Sequence, residues 1–374
     1  MKPLRIALVA EDYYPQLGGV PEHVHHLARE LDALGHSATI VTSHMRGAGA
    51  DPSFVRRVGT SVVIYANGGV ARVTVGWRLG SRLEALFRAE RFDVVHVHGG
   101  LAPTFGVWAP YAAWRAGIPV VATFHTWFPS SLGYRLLRRP FQAMLDRHAA
   151  MIAVSRAAQE CMSRYFSAPW EIVPNGVDTM FFQPPTPTSP VTSRLERGGP
   201  RLLWLGRIEP RNDLGTVLAA MPKILERHPG AQLTVVGDGP WRSRLERAAR
   251  PLGPSVRFVG YANGERPDYY RDADLYLCPT TRASFGVTLL EAMACGVPLV
   301  VSDIPAFRDL AGEGGAVFAP PGDPKGWAEA VNGLIDDPLR REAMGKGGRA
   351  IAERYAWPVV AKRVLEVYRR VTRV

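Results

Sequence analysis

The chain has 374 residues, 45 of them lysine or arginine against 34 acids, for a formal charge of +11. That length is too great for one ordinary domain and comfortable for two, each able to bury its own core. The arginines are scattered rather than blocked, which disfavours a nucleic-acid protein. The three cysteines, Cys161, Cys278 and Cys295, form no CxxC pair and suit no disulfide framework, so a reducing compartment is inferred.

The chain opens on an apolar core, Ile6 to Ala10, followed by Glu11 and Asp12. This is too short for a signal-peptide core and reads as a first strand. No apolar run is long enough to span a bilayer. Strands are predicted at Arg5–Ala10, Ser37–Thr42, Val62–Ala66, Asp93–His98, Pro119–Phe124, Met151–Val154 and Glu171–Pro174. A second set follows at Arg201–Leu205, Ala231–Val236, Val256–Val259, Leu275–Cys278, Pro298–Val301 and Gly315–Phe318. Most are unbroken apolar runs, as in strands buried on both faces. Helical patterns lie between them, at Pro21–Leu34, Arg78–Arg88, Leu214–Arg227 and Trp241–Ala249. This alternation predicts an α/β protein with parallel sheets covered on both faces.

The pattern breaks at 183–200, a proline-rich stretch without period that reads as a loop at a domain boundary. One doubly wound domain is expected before it and one after. The final segment, Val359–Val371, has near-helical apolar spacing suited to crossing back to the first domain. Ligands of open α/β sheets bind beyond the carboxyl ends of strands, so motifs just after strands carry most weight.

Gly18-Gly19 follows the first strand and precedes a helix, as a phosphate-approaching turn or a simple one. His125 follows an apolar strand, where it can donate to a substrate oxygen or serve a loop structurally. His96 and His98 share one strand face, and without identifiable further ligands the non-metal reading is preferred. Arg207, in Gly206–Arg211, follows the second domain's first strand and suits forked contact with a phosphate. Gly237-Asp238-Gly239 lacks the third glycine of a dinucleotide fingerprint. Asp272-Ala273-Asp274 precedes its strand and reads as a helix end leading into that strand, not as a metal-binding pair. Ser284, Phe285, Gly286, Val287 and Thr288 lead into a short apolar helix whose amides suit a diphosphate. Thr288, Glu291 and Cys295 form that helix's non-aliphatic stripe, facing either solvent or the ligand. Trp127-Phe128-Pro129 and 134–141 mix aromatics, leucines and arginines, suiting either an interfacial segment on anionic lipid or a helix packed on its own domain.

In this order and spacing GGVPEHV (18–24), DVVHVH (93–98), ATFHT (122–126), VPNGVD (173–178), GRIEPR (206–211) and SFGVTLLEAMACGVPLVVSD (284–303) resemble the retaining enzymes of glycosyltransferase family 4. Within that family NGGVARV (67–73), ATFHT and SDIPAFRDL (302–310) are closest to mannosyltransferases acting on phosphatidylinositol. The resemblance implies a GT-B fold, two Rossmann-like domains facing a cleft. Residues 1–178 with 358–374 would bind the acceptor, and 179–357 the nucleotide sugar.

It further implies that Gly18 and Gly19 approach the donor diphosphate, and that His125 contacts the donor sugar. Arg207 would neutralise the diphosphate with Arg211 as a substitute cation, Asn212 lies beside them at the donor, Ser284–Thr288 supply amides and Glu291 holds the ribose. The expected donor is a nucleotide-diphosphate hexose, GDP-mannose favoured. The acceptor is a hydroxyl, with a phospholipid as the lipid candidate. No metal or other cofactor and no nucleic acid is expected. The expected location is cytoplasmic, with a peripheral inner-membrane contact.

Two residues depart from the family pattern. Asn212 stands where lysine is usual, and Ala283 where a first glutamate is usual, eight residues before Glu291. They motivate a rival reading, a catalytically weak sugar-nucleotide-binding protein. A family 4 transferase using a UDP-sugar and a soluble acceptor is a second alternative. A nicotinamide-dependent oxidoreductase is disfavoured because no GxGxxG follows any strand.

Overall fold

The computed structural model describes residues 2–16, 18–45, 50–66, 69–102, 104–185, 198–262 and 264–372, with the side chains of 64–71 and 313 excepted. The chain divides into two compact units, Met1–Gly176 with Trp357–Val374, and Val177–Ala356.

The first unit contains β1 (Arg5–Ala10), β2 (Ser37–His44), β3 (Val55–Ala66), β4 (Gly69–Val75), β5 (Val94–His98), β6 (Val120–Phe124), β7 (Ala150–Ala153) and β8 (Trp170–Ile172). Its connecting helices are α1 (Gly19–Ala33), α2 (Leu79–Glu90), α3 (Phe105–Arg115), α4 (Leu132–Leu136), α5 (Arg138–Leu145) and α6 (Arg156–Ser163). The second unit contains β9 (Arg201–Leu205), β10 (Gln232–Val236), β11 (Val256–Gly260), β12 (Leu275–Cys278), β13 (Leu299–Ser302) and β14 (Val317–Ala319). Its helices are α7 (Leu214–Arg227), α8 (Arg242–Ala249), α9 (Arg266–Asp272), α10 (Val287–Ala294), α11 (Pro305–Gly315), α12 (Pro324–Ile335) and α13 (Pro338–Glu353). The last helix, α14 (Trp357–Thr372), belongs to the first unit.

The first sheet runs β4-β3-β2-β1-β5-β6-β7-β8, and only the β3–β4 pair is antiparallel. The second runs β11-β10-β9-β12-β13-β14 and is parallel throughout. In both, the strand order reverses beside the first strand, as in doubly wound folds. Strand β1 shows why these segments read as unbroken apolar runs. Ile6, Leu8 and Ala10 pack in one core with α1 and α14, while Ala7 and Val9 pack in another with α2 and α3. Helix α14 enters the first of these cores with Trp357, Val360, Ala361, Val364, Leu365 and Tyr368, a stripe at helical spacing. Burying each leucine- or valine-sized side chain there contributes about 1.5–3 kcal/mol.

Several boundaries differ from the sequence-based expectation. The strand predicted at Val62–Ala66 is the end of a longer strand, β3, and its antiparallel partner β4 had not been foreseen. Together they form the edge of the sheet, and Arg72 and Thr74 interrupt the apolar residues of β4, so no unbroken apolar run marks that strand. Residues 67–68 of NGGVARV lie outside the described residues, as do 186–197 of the proline-rich stretch. The last strand begins at Val317 rather than Gly315, because α11 continues through its glycines. Asp272 ends α9 and Asp274 leads into β12, where its carboxylate accepts from the Arg201 amide at 2.8 Å. Among the described residues no helix is long and apolar enough to cross a membrane.

Candidate functional site

In the first unit the polar centre lies on the α1 and α14 side of the sheet. Residues 94, 95 and 97 face the two apolar cores, which leaves His96 and His98 of β5 to alternate into this polar line. His125 follows β6, His23 comes from α1, and Asn175 follows β8. All five side chains are buried. His23 Nδ1 lies 2.9 Å from Asn175 Oδ1, and His98 Nδ1 lies 3.2 Å from His125 Nε2. His96 is held apart from this group, with Nδ1 at 2.6 Å from the Tyr368 hydroxyl and Nε2 at 2.6 Å from Thr123 Oγ1. The His96 and His98 rings are 4.0 Å apart, and the His23 ring meets His125 edge-on at 4.7 Å.

Burial keeps this cluster uncharged. It pushes His125 down to about 4 and His96 to about 3, and holds His23 and His98 well below the usual histidine range. Neighbouring imidazoles add to the effect at His23, His96 and His98. Neutral imidazole both donates and accepts, so the cluster can meet a hydroxyl without placing a charge beside it. His23, His98 and His125 also bring one ring nitrogen each within 4.8 Å of one another. The number of donors matches a three-histidine metal site. His98 Nδ1 faces His125 and His23 Nδ1 faces Asn175, while His98 Nε2 is buried without a hydrogen-bond partner. The pair picked out on β5 therefore splits, and the residue that joins His98 and His125 is His23. Gly18 and Gly19 are exposed at the start of α1, with the Gly18 carbonyl accepting from the Glu22 amide at 3.1 Å.

In the second unit the sequence-predicted residues gather on two loops. Arg207, Arg211 and Asn212 follow β9, and the segment from Ser284 to Glu291 follows β12. The loops are sewn together: Thr280 Oγ1 donates to Asn212 Oδ1 at 3.3 Å, and the Thr281 amide donates to the Arg211 carbonyl at 2.8 Å. Asn212 Nδ2 donates to the Arg207 carbonyl at 2.7 Å. Asn212 thus supplies no charge where lysine was expected but braces the arginine loop. Glu209 lies between the two arginines, 2.5 Å from Arg211 Nε and 3.7 Å from Arg207 Nε. Gly237 and Gly239 serve the same loop structurally. A Cβ on Gly237 would lie 1.9 Å from the Gly206 carbonyl oxygen, and one on Gly239 2.3 Å from that of Ile208.

Helix α10 starts at Gly286, whose φ of 138° favours glycine. A Cβ there would also come within 3.1 Å of the Phe307 ring, so glycine lets the helix start against α11. Phe285 is buried against Tyr355, while Ser284, Val287 and Thr288 are half-buried. The first-turn amides of α10 face away from intrahelical acceptors, as at any helix start.

The stripe expected to face solvent or ligand is buried at its far end. Glu291 is 3% exposed, and Cys295 is a buried thiol pushed up to about 12 by burial. One Glu291 oxygen accepts from Arg266 Nη1 at 2.8 Å and the other from the Tyr270 hydroxyl at 2.9 Å. Burial, with the Glu291 charge adding to it, holds Tyr270 well above the usual tyrosine range, so it donates as a neutral phenol. Sequence reasoning missed His23, Asn175, Glu209, Arg266 and Tyr270 as partners in these groups. GGVPEHV, VPNGVD and GRIEPR had already enclosed the first three; no spacing signal marked Arg266 or Tyr270.

Two parallel α/β units, one with an arginine loop, a helix start and a buried acid beyond its strand ends, define a glycosyltransferase of the GT-B class. Residues 17–181 match the family described as Glycosyltransferase Family 4, and residues 199–337 that described as Glycosyl transferases group 1. The chain is 32% identical to the phosphatidyl-myo-inositol mannosyltransferase of Mycolicibacterium smegmatis, over 99% of this chain and 94% of the relative. It is similar in fold to sucrose-phosphate synthase from Thermosynechococcus elongatus, with a TM-score of 0.75 at 22% identity and 98% of each chain covered. An Anabaena protein solved in complex with UDP and glucose gives a TM-score of 0.75 at 18% identity, covering 97% of this chain and 98% of the other. The chain belongs to glycosyltransferase family 4.

Proposed function

We propose that the protein is a retaining hexosyltransferase that moves mannose from GDP-mannose to a hydroxyl of a phosphoinositide-type lipid. The observation that carries this reading is the pair of stitched loops in the second unit. They put Arg207, the start of α10 and a buried Glu291 beyond the carboxyl ends of β9 and β12. On this reading Arg207 and the α10 amides receive the diphosphate, aided by Arg211 and the Gly18-Gly19 turn. Glu291 accepts from the ribose hydroxyls. Asn212 acts through the loop backbone, not by charge.

His125 contacts the donor sugar as a neutral imidazole. It stabilises the developing positive charge at the anomeric carbon through its lone pair and ring. The acceptor oxygen attacks from the face the diphosphate leaves, and the departing phosphate oxygen takes the acceptor proton. The rate comes from positioning and from stabilising leaving-group charge. The mannose assignment is supported by likeness to phosphatidyl-myo-inositol mannosyltransferases.

The lipid assignment also draws on α4 and α5. Phe141 of α5 and Phe128 of the preceding loop are buried, whereas Leu132, Leu136 and Leu137 are exposed beside exposed Arg135, Arg138 and Arg139. Exposed leucines among arginines suit the surface of an anionic bilayer. Co-sedimentation with anionic vesicles at low salt is the expected result, and no binding there removes the membrane contact.

Turnover across a panel of GDP- and UDP-hexoses, with phosphatidylinositol vesicles and soluble alcohols as acceptors, tests the whole reading. Mannose transfer to the lipid from GDP-mannose is expected. Tight nucleotide binding without turnover on any acceptor would instead support the weak binding protein that Ala283 and Asn212 suggest.

A further inference from the structure

Glu291 does not stand alone at the base of the donor loops. Arg266, the first residue of α9, donates to one of its oxygens at 2.8 Å. The same guanidinium lies over the Phe182 ring, 5.5 Å from its centroid, and Phe182 meets the Tyr270 ring edge-on at 5.9 Å. Tyr270 in turn donates to the other Glu291 oxygen at 2.9 Å. The carboxylate plane is therefore fixed from two sides by groups that are themselves packed. All four residues lie in the second unit.

A carboxylate only 3% exposed is costly unless a cation and hydrogen bonds offset its lost hydration. Arg266 supplies the cation. Its planar fork suits both jobs at once, stacking on Phe182 and donating to Glu291, which a lysine ammonium does not. A carboxylate can accept more than one hydrogen bond on each oxygen, so the contacts from Arg266 and Tyr270 set the orientation of the edge it offers a ligand.

We propose that Arg266 is a positioning residue of the donor site. It keeps Glu291 charged and aimed at the vicinal diol of a ribose, and so sets the preference for ribonucleotides over deoxyribonucleotides. The proposal rests on the reading of Glu291 as the ribose acceptor. It goes beyond that reading by assigning the preference to a guanidinium that makes no claim on the nucleotide itself.

The test is calorimetric binding of ADP, GDP and UDP, each against its 2′-deoxy form, to the full chain and to R266M, R266K, E291Q and Y270F. The ratio within one variant does not depend on what fraction of that sample is folded. The unaltered protein should prefer the ribonucleotide by roughly tenfold to a hundredfold, the range of a charged hydrogen bond. R266M and E291Q should bring the ratio below about threefold, with R266K in between. If R266M binds no nucleotide, the R266K ratio decides, and a ratio equal to that of the unaltered protein overturns the role of Arg266. If E291Q loses the preference while R266M keeps it, Glu291 remains the ribose acceptor and the proposal for Arg266 fails. If E291Q keeps the preference, or if no nucleotide binds the unaltered protein, the reading of Glu291 fails first and this proposal with it.

Discussion

The two units bury polar groups in opposite ways. In the first, imidazoles pack tilted or edge-on and are hydrogen-bonded to one another, to Asn175 and to Tyr368, and burial strips them of charge. In the second, the buried acid Glu291 is paired to a guanidinium and a phenol, and two further arginines share Glu209. The neutral cluster is governed by protons, because a proton taken up inside has no counter-charge. The charged cluster is governed by partners, because removing one leaves the other uncompensated.

The largest effect expected from breaking the neutral side is His125→Ala, which should lower kcat by about a hundredfold or more. Donor KM should change much less, and steady-state kinetics with GDP-mannose separates the two. On the charged side, Glu291→Ala removes the carboxylate that Arg266 Nη1 meets at 2.8 Å. It should destabilise the protein by about 3–5 kcal/mol in denaturant unfolding, as breaking a buried pair does.

Acidification distinguishes the clusters directly. An unfolded histidine titrates near 6.5. The folded first unit holds His25 and His125 near 4 and His96 near 3, and lowers His23, His36, His98 and His148 as well. Between those values the unfolded chain binds more protons than the folded one. The stability these histidines contribute is therefore complete above about pH 6.5 and is lost as pH falls towards 4 and then 3. A single fully buried histidine held near 4 accounts for on the order of 3 kcal/mol of that loss. Glu11 and Asp12 are raised by burial and work against it at the acid end. Hydrogen exchange at pH 7 and pH 5 should show protection lost first in residues of the first unit. Equal loss in both units would remove the distinction.

The smaller tests fall on the two departures. Ala283→Glu should raise turnover with a hexose donor by roughly tenfold, the worth of one charged hydrogen bond at the low end. Unchanged or lower activity would mean that the site has been rebuilt around alanine. Asn212→Lys should alter donor affinity by only a few-fold, because the cation gained comes with loss of the bond to the Arg207 carbonyl. Titration with GDP checks this.

Much of the fold was legible because most strands are buried on both faces and therefore spell unbroken apolar runs, as β1, β5 and β12 do. Strand β4 was not, because Arg72 and Thr74 interrupt its apolar residues. As candidates, Arg207 and His125 could be chosen from position just after a strand, and Glu291 from the non-aliphatic stripe of its helix. Their partners could not. Arg266 meets Glu291 from 25 residues away and Asn175 meets His23 from 152 residues away, separations at which pattern carries no information. Asn212 shows the other limit, since the missing charge was readable while the brace it provides was not.

Helix α14 completes the first core, although it is encoded 180 residues after Gly176, where the rest of that unit ends. A ribosome delivers the second unit before it delivers Trp357, Leu365 and Tyr368. The nascent first unit therefore waits with Leu8, Val24 and Leu27 uncovered on one face while all of Val177–Ala356 is being made. A chain stalled before 357 lacks the α14 part of that core and presents an apolar surface to chaperones instead of a finished domain.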